Sequence, residues 1–311
     1  MFTRLYRHVF PGDGATFSYH ASGYGPGLNG VDPKIMVGDT NAILDFRFTP
    51  FERLTWYFDH HVSAFVTPAD RAAYERMAAE GEAHGQRRMF HDGTYTSATK
   101  LIADVGRDRF ALDPAPTREL VAWADLIDSA AFPSAQMAVE RREPELKLMT
   151  VVEHFGDDGF LAKMVPRLLD EPLADVARGP DIAAAYEPLG RSHEDFVKLV
   201  EKHAQAIGPA RGAVVLVDLS SDLIEVAGKF VTYALFPESA YSVLLSRSRS
   251  KCKISIGYNP WSPVPRRHNI AAICERHGGG GHPVVGAISL PADEVQEAQA
   301  LSRSIADELT A

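Results

Sequence analysis

Short apolar runs alternate with helical stretches through the first half of the chain, and this alternation limits the possible folds more than any other feature. Strands are predicted at 33–38, 42–48 and 54–58, and helices at 68–80, 97–104 and 117–130. A further β-like segment is predicted before Asp13, with a helix from Ala15 onward. Strands that alternate with helices pair in parallel and carry the helices on their faces. The sequence therefore predicts an α/β domain, built on a mainly parallel sheet that is flanked by helices.

The composition changes near residue 210. Apolar runs typical of buried strands follow at 213–219, 241–245, 253–257 and 284–290. The 311 residues also exceed what one hydrophobic core usually serves. We therefore expect a larger N-terminal domain at 1–190, a helical linker at 191–210 and a smaller C-terminal α/β domain at 211–311.

Charge and apolar run length limit the partners of this chain. The 32 basic and 41 acidic side chains give a net charge of −9, which argues against a protein that coats long nucleic acid. No apolar run is long enough for a transmembrane helix, and the N-terminus lacks a signal-peptide pattern. We therefore expect a cytoplasmic protein that binds no membrane, and the sequence leaves its oligomeric state open.

The strongest local motif is Asp59-His60-His61, which directly follows a predicted strand. Asp45 ends the neighbouring apolar run in the same way, and Asp13 lies in a glycine-containing loop after the first β-like segment. The carboxyl ends of parallel strands meet at one edge of a sheet, where α/β proteins bind ligands. We therefore expect these carboxylates and imidazoles to lie close together.

Asp125 and Asp128 are three residues apart on a predicted helix, so they share one face. Carboxylates that face inward from an apolar helix are costly unless a cation accompanies them. Aspartate and histidine ligands without cysteine suit Mn²⁺, Mg²⁺ or Zn²⁺, and Mn²⁺ best matches imidazole with several carboxylates. The sequence predicts one or two divalent metal ions, most simply Mn²⁺, and leaves the choice between Asp125 and Asp128 open.

A second motif lies near the C-terminus, where four glycines precede a histidine: Gly278, Gly279, Gly280, Gly281 and His282. Successive backbone N–H groups without Cβ atoms can close around an anion, and the histidine can add a hydrogen bond or a proton. The alternative is a plain flexible turn between a helix and a strand.

The glycine motif lies close to a positively charged region. No Asp or Glu occurs between Ser239 and Cys274, a span that contains Arg247 and His268. A hairpin turn predicted at 249–251 leaves Arg247 as the cation that points into a ligand-binding cleft. We expect Arg247 and His268 to bind the same anion as the glycine motif.

The two motifs stand in an order and at a spacing, about two hundred residues, that resemble the DHH phosphoesterases. In that family an N-terminal metal domain is followed by a DHH-associated domain that carries a GGGGH motif. The resemblance covers nearly the whole chain. Ser97-Ala98-Thr99 and Leu245-Ser246-Arg247-Ser248 extend it, since they look like the family's small-residue helix start and its arginine-bearing strand.

The resemblance implies a metal site made of the following side chains: His8, Asp13, Asp45, His60 and either Asp125 or Asp128. It implies that Asp45 bridges the ions if two are bound, that Asp59 orients the histidines and that His61 faces the scissile phosphate. The chain departs from the family's usual His-x-Asp-x-Asp pattern, because one carboxylate is missing between His8 and Asp13.

The implied activity is metal-assisted hydrolysis of a phosphate ester, as by a phosphodiesterase or a phosphatase. His61, Asp59, His282 and Arg247 would serve catalysis in a cleft between the domains, where the second domain binds the substrate. The acidic chain favours a small nucleotide substrate, such as a short oligonucleotide, a cyclic dinucleotide or a nucleoside 3′,5′-bisphosphate. The alternatives are a polyphosphate or pyrophosphate hydrolase, and a degenerate sensor that binds a nucleotide without turnover.

Overall fold

The computed structural model describes residues 1–23, 30–86, 88–223, 228 and 230–311. The helices are α1 (Phe2–Val9), α2 (Pro68–Ala83), α3 (Ala98–Phe110), α4 (Arg118–Asp128), α5 (Ala135–Glu140), α6 (Pro144–Phe155), α7 (Asp158–Asp170), α8 (Leu173–Ala177), α9 (Pro180–His203), α10 (Val231–Leu235), α11 (Ile270–Arg276) and α12 (Val295–Thr310). The strands are β1 (Asn41–Leu44), β2 (Leu54–Asp59), β3 (Met89–His91), β4 (Ala204–Ile207), β5 (Val214–Leu223), β6 (Tyr241–Arg247), β7 (Lys251–Tyr258), β8 (Gly280–His282) and β9 (Val285–Pro291).

Two structural units share the chain, and each contains two sequence segments. The first unit comprises Met1–Ala131 and Pro144–Ala183, and the second comprises Phe132–Glu143 and Ala184–Ala311. The unit boundary therefore lies within α9, and α5 belongs to the second unit. The functional roles predicted for 1–190, 191–210 and 211–311 remain predictions.

The first unit is built on a parallel sheet with strand order β1-β2-β3. The central strand β2 is buried on both faces, and its residues alternate between two apolar clusters. Trp56 and Phe58 pack with Leu5 of α1 and Leu101 of α3, whereas Tyr57 packs on the opposite face with residues of α2. The mixed α/β fold class predicted from the sequence is confirmed.

The N-terminal segment differs from its prediction, because residues 2–9 form α1 rather than a β-like strand. Phe2, Leu5, Tyr6 and Val9 recur at helical spacing and present one apolar side to the core. The predicted helix after Ala15 is also wrong, since 15–23 has no regular secondary structure.

Two of the predicted strands were also placed wrongly. Pro33–Ile35 is a 3-10 turn, in which Asp32 accepts a hydrogen bond from the Lys34 N–H at 3.0 Å. This local bond competes with strand pairing, and proline lacks the N–H that a strand needs. The strand predicted at 42–48 runs only from Asn41 to Leu44, because the backbone turns at Asp45.

The second unit contains a six-stranded sheet with strand order β4-β5-β6-β7-β9-β8, in which only β5 and β6 pair in parallel. One face packs against α11 and α12, and the opposite face is covered at β5 and β6 by residues of α5, α9 and α10. The segment predicted as a helical linker therefore takes part in this unit, since α9 contributes to its core and β4 to its sheet.

Among the described residues, no helix has both the length and the apolar character needed to cross a bilayer.

The end of the glycine motif, Gly280–His282, forms the edge strand β8, and three of the four glycines are required by the fold of the unit. A Cβ on Gly279 would lie 2.3 Å from the Ala287 carbonyl oxygen, and one on Gly281 would lie 2.3 Å from that of Val285. Gly278 has a φ of +72°, which disfavours other residues. A Cβ on Gly280 would meet no atom within 4 Å.

Substitution by alanine should therefore affect stability strongly at Gly279 and weakly at Gly280. Gly279→Ala forces a methyl group against backbone, and we expect it to lower the free energy of unfolding by about 1–3 kcal/mol. Gly280→Ala should change it by less than about 0.5 kcal/mol. Urea denaturation of both variants beside the wild type measures the difference, and equal stabilities would contradict the close approach of Gly279 to β9.

Candidate metal centre

The candidate site begins at one edge of the parallel sheet, where β1 and β2 end side by side. Asp45 follows β1, and its N–H donates a hydrogen bond to the Phe58 carbonyl at 2.8 Å. Asp45 has a φ of +56°, a conformation that aspartate and asparagine tolerate better than most residues. Asp59 ends β2, and His60 and His61 follow it. The parallel pairing therefore brings Asp45 to the two histidines, as the sequence predicted.

Asp59 is fully buried, and its carboxylate is surrounded by hydrogen-bond donors. Oδ1 accepts from the His60 N–H at 2.9 Å and from His61 Nδ1 at 2.7 Å, and Oδ2 accepts from the Tyr57 hydroxyl at 3.0 Å. These bonds fix the orientation of the His61 ring and place its Nδ1 proton. The arrangement is the one that the implied orienting role of Asp59 requires.

The hydrogen bond at His60 Nδ1 decides where the ring's lone pair lies. Nδ1 is 3.1 Å from the Tyr95 carbonyl oxygen, which can only accept, so Nδ1 carries a proton. In the neutral ring Nε2 then bears the lone pair. Nε2 is buried, and it lies 3.2 Å from Asp45 Oδ1 and 3.3 Å from Asp128 Oδ2, without hydrogen-bond geometry to any group that the structure describes. Three electron-rich atoms thus converge on one point.

This convergence shifts the protonation of the surrounding acids. Burial raises the pKa of Asp45, and the negative charge of Asp128 raises it further. Burial likewise raises the pKa of Asp128. Burial lowers the pKa of His61, but the hydrogen bond and charge of Asp59 outweigh that effect and raise it overall. For both acids burial is the largest cause of the raised pKa, and the charges of His60 and His61 oppose it.

A divalent cation fits this donor set. One ligand atom from each of Asp45, His60 and His61 lies within 4.8 Å of the others, and Asp128 adds a carboxylate oxygen 3.3 Å from His60 Nε2. Imidazole together with carboxylates suits Mn²⁺ and related divalent ions. The buried Nε2 atom without a hydrogen-bond partner is the observation that favours a cation there.

Asp125 and Asp128 lie in different surroundings although they share a face of α4. Asp125 accepts hydrogen bonds from the Thr96 and Ser97 hydroxyls and from the Lys100 ammonium, whereas Asp128 faces His60. Burial raises the pKa of Asp125, but these three donors outweigh it and lower the pKa overall. The geometry therefore favours Asp128 as the metal ligand.

The two N-terminal candidates have other contacts in the described part of the chain. His8 Nε2 lies 2.8 Å from the Phe110 carbonyl oxygen, and Asp13 Oδ1 accepts from the Ala15 N–H at 2.9 Å. The structure does not bring either side chain into the group of potential ligands around His60. Their ligand role remains a prediction.

The predicted anion-binding residues all belong to the second unit. Arg247 ends β6, its Nε donates to the Ala292 carbonyl at 3.1 Å, and the turn predicted after it is present at 248–250. The His268 ring stacks edge-on against Tyr241 at 5.6 Å between ring centroids. His282 ends β8 and is exposed, and Gly278 and Gly280 leave open space beside their backbone.

Two further groups contact the histidines and were not predicted from the sequence. One is the backbone carbonyl of Tyr95, which no sequence pattern marks. The other is His91, whose Nε2 lies 2.8 Å from the His61 carbonyl oxygen. His91 is the last residue of β3, as Asp59 is of β2. The expectation that residues at the carboxyl ends of parallel strands meet at one sheet edge therefore applies to His91 as well.

Comparisons with known proteins identify the fold. No protein-family model and no curated protein matches the sequence. Among solved structures, the chain is similar to PggH, a pGpG-specific phosphodiesterase from Vibrio cholerae, with a TM-score of 0.61 and 14% identity over 84% of this chain and 81% of that one. The DHH domain of a protein described as a member of a family of ribosomal proteins has a TM-score of 0.49 at 13% identity, over 78% and 68% of the two chains. RecJ from Thermus thermophilus in complex with Mn²⁺ has a TM-score of 0.40 at 14% identity, over 89% and 46%.

The match to PggH extends over most of both chains, and at this identity it concerns the fold alone. The resemblance to DHH phosphoesterases is thereby confirmed at the level of the fold.

The converging carboxylates predict that Asp45→Asn stabilises the metal-free protein. At neutral pH we expect a gain of about 0.2–1 kcal/mol, as for a partly exposed charge pair. The raised folded-state pKa of Asp45 means that wild-type stability falls as pH rises through it. The gain should therefore vanish at acidic pH, below the unfolded-state pKa of aspartate.

Chemical denaturation in EDTA across this pH range measures the effect. Asp39→Asn, at an exposed position, is the control for loss of one negative charge. A destabilised Asp45→Asn protein at neutral pH would show that His60 carries the balancing charge as an imidazolium.

Proposed function

We propose that this protein is a metal-dependent phosphoesterase that hydrolyses a phosphate ester of a small nucleotide. The observation that supports this most directly is the buried Nε2 of His60, which faces the carboxylates of Asp45 and Asp128 and has no hydrogen-bond partner among the described residues. An ordinary buried histidine has both ring nitrogens satisfied. A nitrogen left without a partner between two acids is what a cation-binding site requires.

The fold supports the same reaction class. PggH, which is similar over most of both chains, is a phosphodiesterase specific for pGpG. On this similarity we propose that the present chain also hydrolyses a phosphate ester bond in a nucleotide-type substrate. The acidic net charge of −9 favours a short oligonucleotide, a cyclic dinucleotide or a nucleoside 3′,5′-bisphosphate over a long strand.

We propose Asp45, His60 and Asp128 as the ligands of the metal, with Mn²⁺ as the natural ion. These three side chains would hold the ion, which when bound would supply a water of lowered pKa and positive charge to offset that of the phosphate. The Tyr95 carbonyl contributes by keeping the His60 lone pair on Nε2. Asp45 and Asp128 contribute the negative charge that attracts the cation.

His61 is suited to act on the substrate itself. Asp59 holds its Nδ1 proton, so Nε2 remains to exchange a proton, and the side chain is 43% exposed. The raised pKa increases the share of the imidazolium form near neutral pH. That form can stabilise an anionic phosphate or donate a proton to the leaving oxygen.

The second unit is proposed as the DHH-associated, substrate-binding domain. It supplies Arg247, His268 and His282, with backbone N–H groups of the glycine motif at 278–281. Gly280 supports this role, because nothing in the unit itself explains the absence of its side chain. We propose that the reaction takes place in the cytoplasm.

This proposal predicts nucleotide hydrolysis that needs both the metal and His60. Product release would be assayed for a dinucleotide, a short oligoribonucleotide, a cyclic dinucleotide, a nucleoside 3′,5′-bisphosphate and pyrophosphate, with Mn²⁺ or with EDTA. His60→Ala should lower the rate by more than about 100-fold, beyond the effect of losing an outer partner of a ligand. His84→Ala, at an exposed histidine, should keep full activity.

The outcomes separate the alternatives. Turnover of pyrophosphate alone would favour a polyphosphate or pyrophosphate hydrolase. Tight nucleotide binding without Mn²⁺-dependent turnover would favour a sensor. Activity that survives in EDTA or in His60→Ala would contradict the proposed site.

A further inference from the structure

We propose that Asp125 is a positioning residue, which fixes the His60 tautomer and the place of Asp128 by clamping the start of α3 onto α4. This inference rests on the proposed function, because its importance lies in how the chain presents the metal ligands. The family resemblance offered Asp125 only as an alternative metal ligand, and the structure places its carboxylate elsewhere.

The clamp consists of one carboxylate and three donors from a single short segment. Thr96 Oγ1 donates to Asp125 Oδ1 at 2.5 Å, and Ser97 Oγ donates to the same oxygen at 3.1 Å. Lys100 Nζ donates to Oδ2 at 3.0 Å. Ser97 is also the N-cap of α3, since its hydroxyl accepts from the Lys100 N–H at 3.2 Å. Asp125 therefore holds the segment that starts the helix.

The clamped segment is continuous with the group that orients His60. Tyr95, whose carbonyl accepts from His60 Nδ1 at 3.1 Å, directly precedes Thr96. If Thr96 moves, the Tyr95–Thr96 peptide moves with it. Loss of the Tyr95 bond would free the Nδ1 proton to move to Nε2, where it would block the lone pair that faces the acids.

Helix α4, which carries Asp125, also carries the proposed metal ligand Asp128. Asp125 and Asp128 lie three residues apart on α4 and therefore share a face. Asp125 grips the Tyr95 to Lys100 segment, while Asp128 Oδ2 lies 3.3 Å from His60 Nε2. One face of α4 thus contacts His60 directly through Asp128 and indirectly through Asp125.

The charge of Asp125 is essential to this arrangement. An ammonium and two hydroxyls all donate to it, and hydrogen bonds to an ionised group are about twice as strong as neutral ones. An asparagine has no negative charge and only one oxygen acceptor, so in neither orientation of its amide can it accept from both hydroxyls and from the Lys100 ammonium. Asp125→Asn therefore weakens the clamp with almost no change in side-chain volume.

Two measurements on the full chain test the proposal. The first is ¹⁵N NMR of the His60 ring in the metal-free protein at mildly alkaline pH, with the signal assigned by its loss in His60→Ala. The second is the Kd of Mn²⁺ by titration calorimetry. We expect Asp125→Asn to add the Nε2-protonated tautomer of His60 and to raise the Kd by about tenfold or more, as losses of outer partners do. Glu119→Gln, an exposed charge loss on the same helix, should change neither.

Lys100→Met provides a second test that leaves Asp125 in place. We expect it to raise the Kd by about threefold or more, and the double variant to be no worse than Asp125→Asn alone, because both remove one interaction. If Asp125→Asn fails to fold by circular dichroism, Lys100→Met decides the matter. A wild-type Kd and a wild-type His60 tautomer in either folded variant would overturn the clamp.

The proposed function can fail separately from the clamp. If the wild type binds no Mn²⁺, the metal-dependent function fails, and the His60 tautomer in the metal-free variants still decides whether Asp125 positions the ring. A tautomer change in Glu119→Gln as large as that in Asp125→Asn would also overturn the proposal, because the effect would then be general to α4.

Discussion

The structure of the candidate site depends on one electrostatic constraint, the meeting of an imidazole nitrogen with two carboxylates. His60 Nε2 is buried between Asp45 and Asp128, and it makes no hydrogen bond there. Water screens part of the repulsion between the acids, because the Asp45 and Asp128 side chains are 49% and 36% exposed. A folded protein tolerates such a cluster when a cation joins it or when stability is given up for function.

The elements around the cluster hold it together in several independent ways. Parallel pairing of β1 with β2 brings Asp45 to the end of β2, and the positive φ of Asp45 turns the chain there. The fully buried Asp59 holds one histidine, while the Tyr95 carbonyl holds the other. These contacts oppose the repulsion, because each holds one side chain of the cluster in a fixed position.

The glycine motif shows how structural and functional demands divide a single sequence pattern. Gly279 and Gly281 lie against the backbone of β9, and Gly278 needs its positive φ, so packing alone explains these three. Gly280 has open space where a side chain would be. In this run of four glycines, Gly280 is therefore the one whose lack of a side chain the packing of the described residues does not explain.

The sequence by itself determined the α/β class and the strand that ends at Asp59, because strand patterns are local and periodic. It also determined the gathering of Asp45 with His60 and His61, because parallel strands present their carboxyl ends at one edge of a sheet. Only the tertiary structure decided that residues 2–9 are helical, that Asp128 rather than Asp125 faces His60, and that the Tyr95 carbonyl contacts His60 Nδ1. These outcomes depend on which groups meet across long sequence separations. A backbone carbonyl is the same at every residue, so its role appears only when the chain is folded.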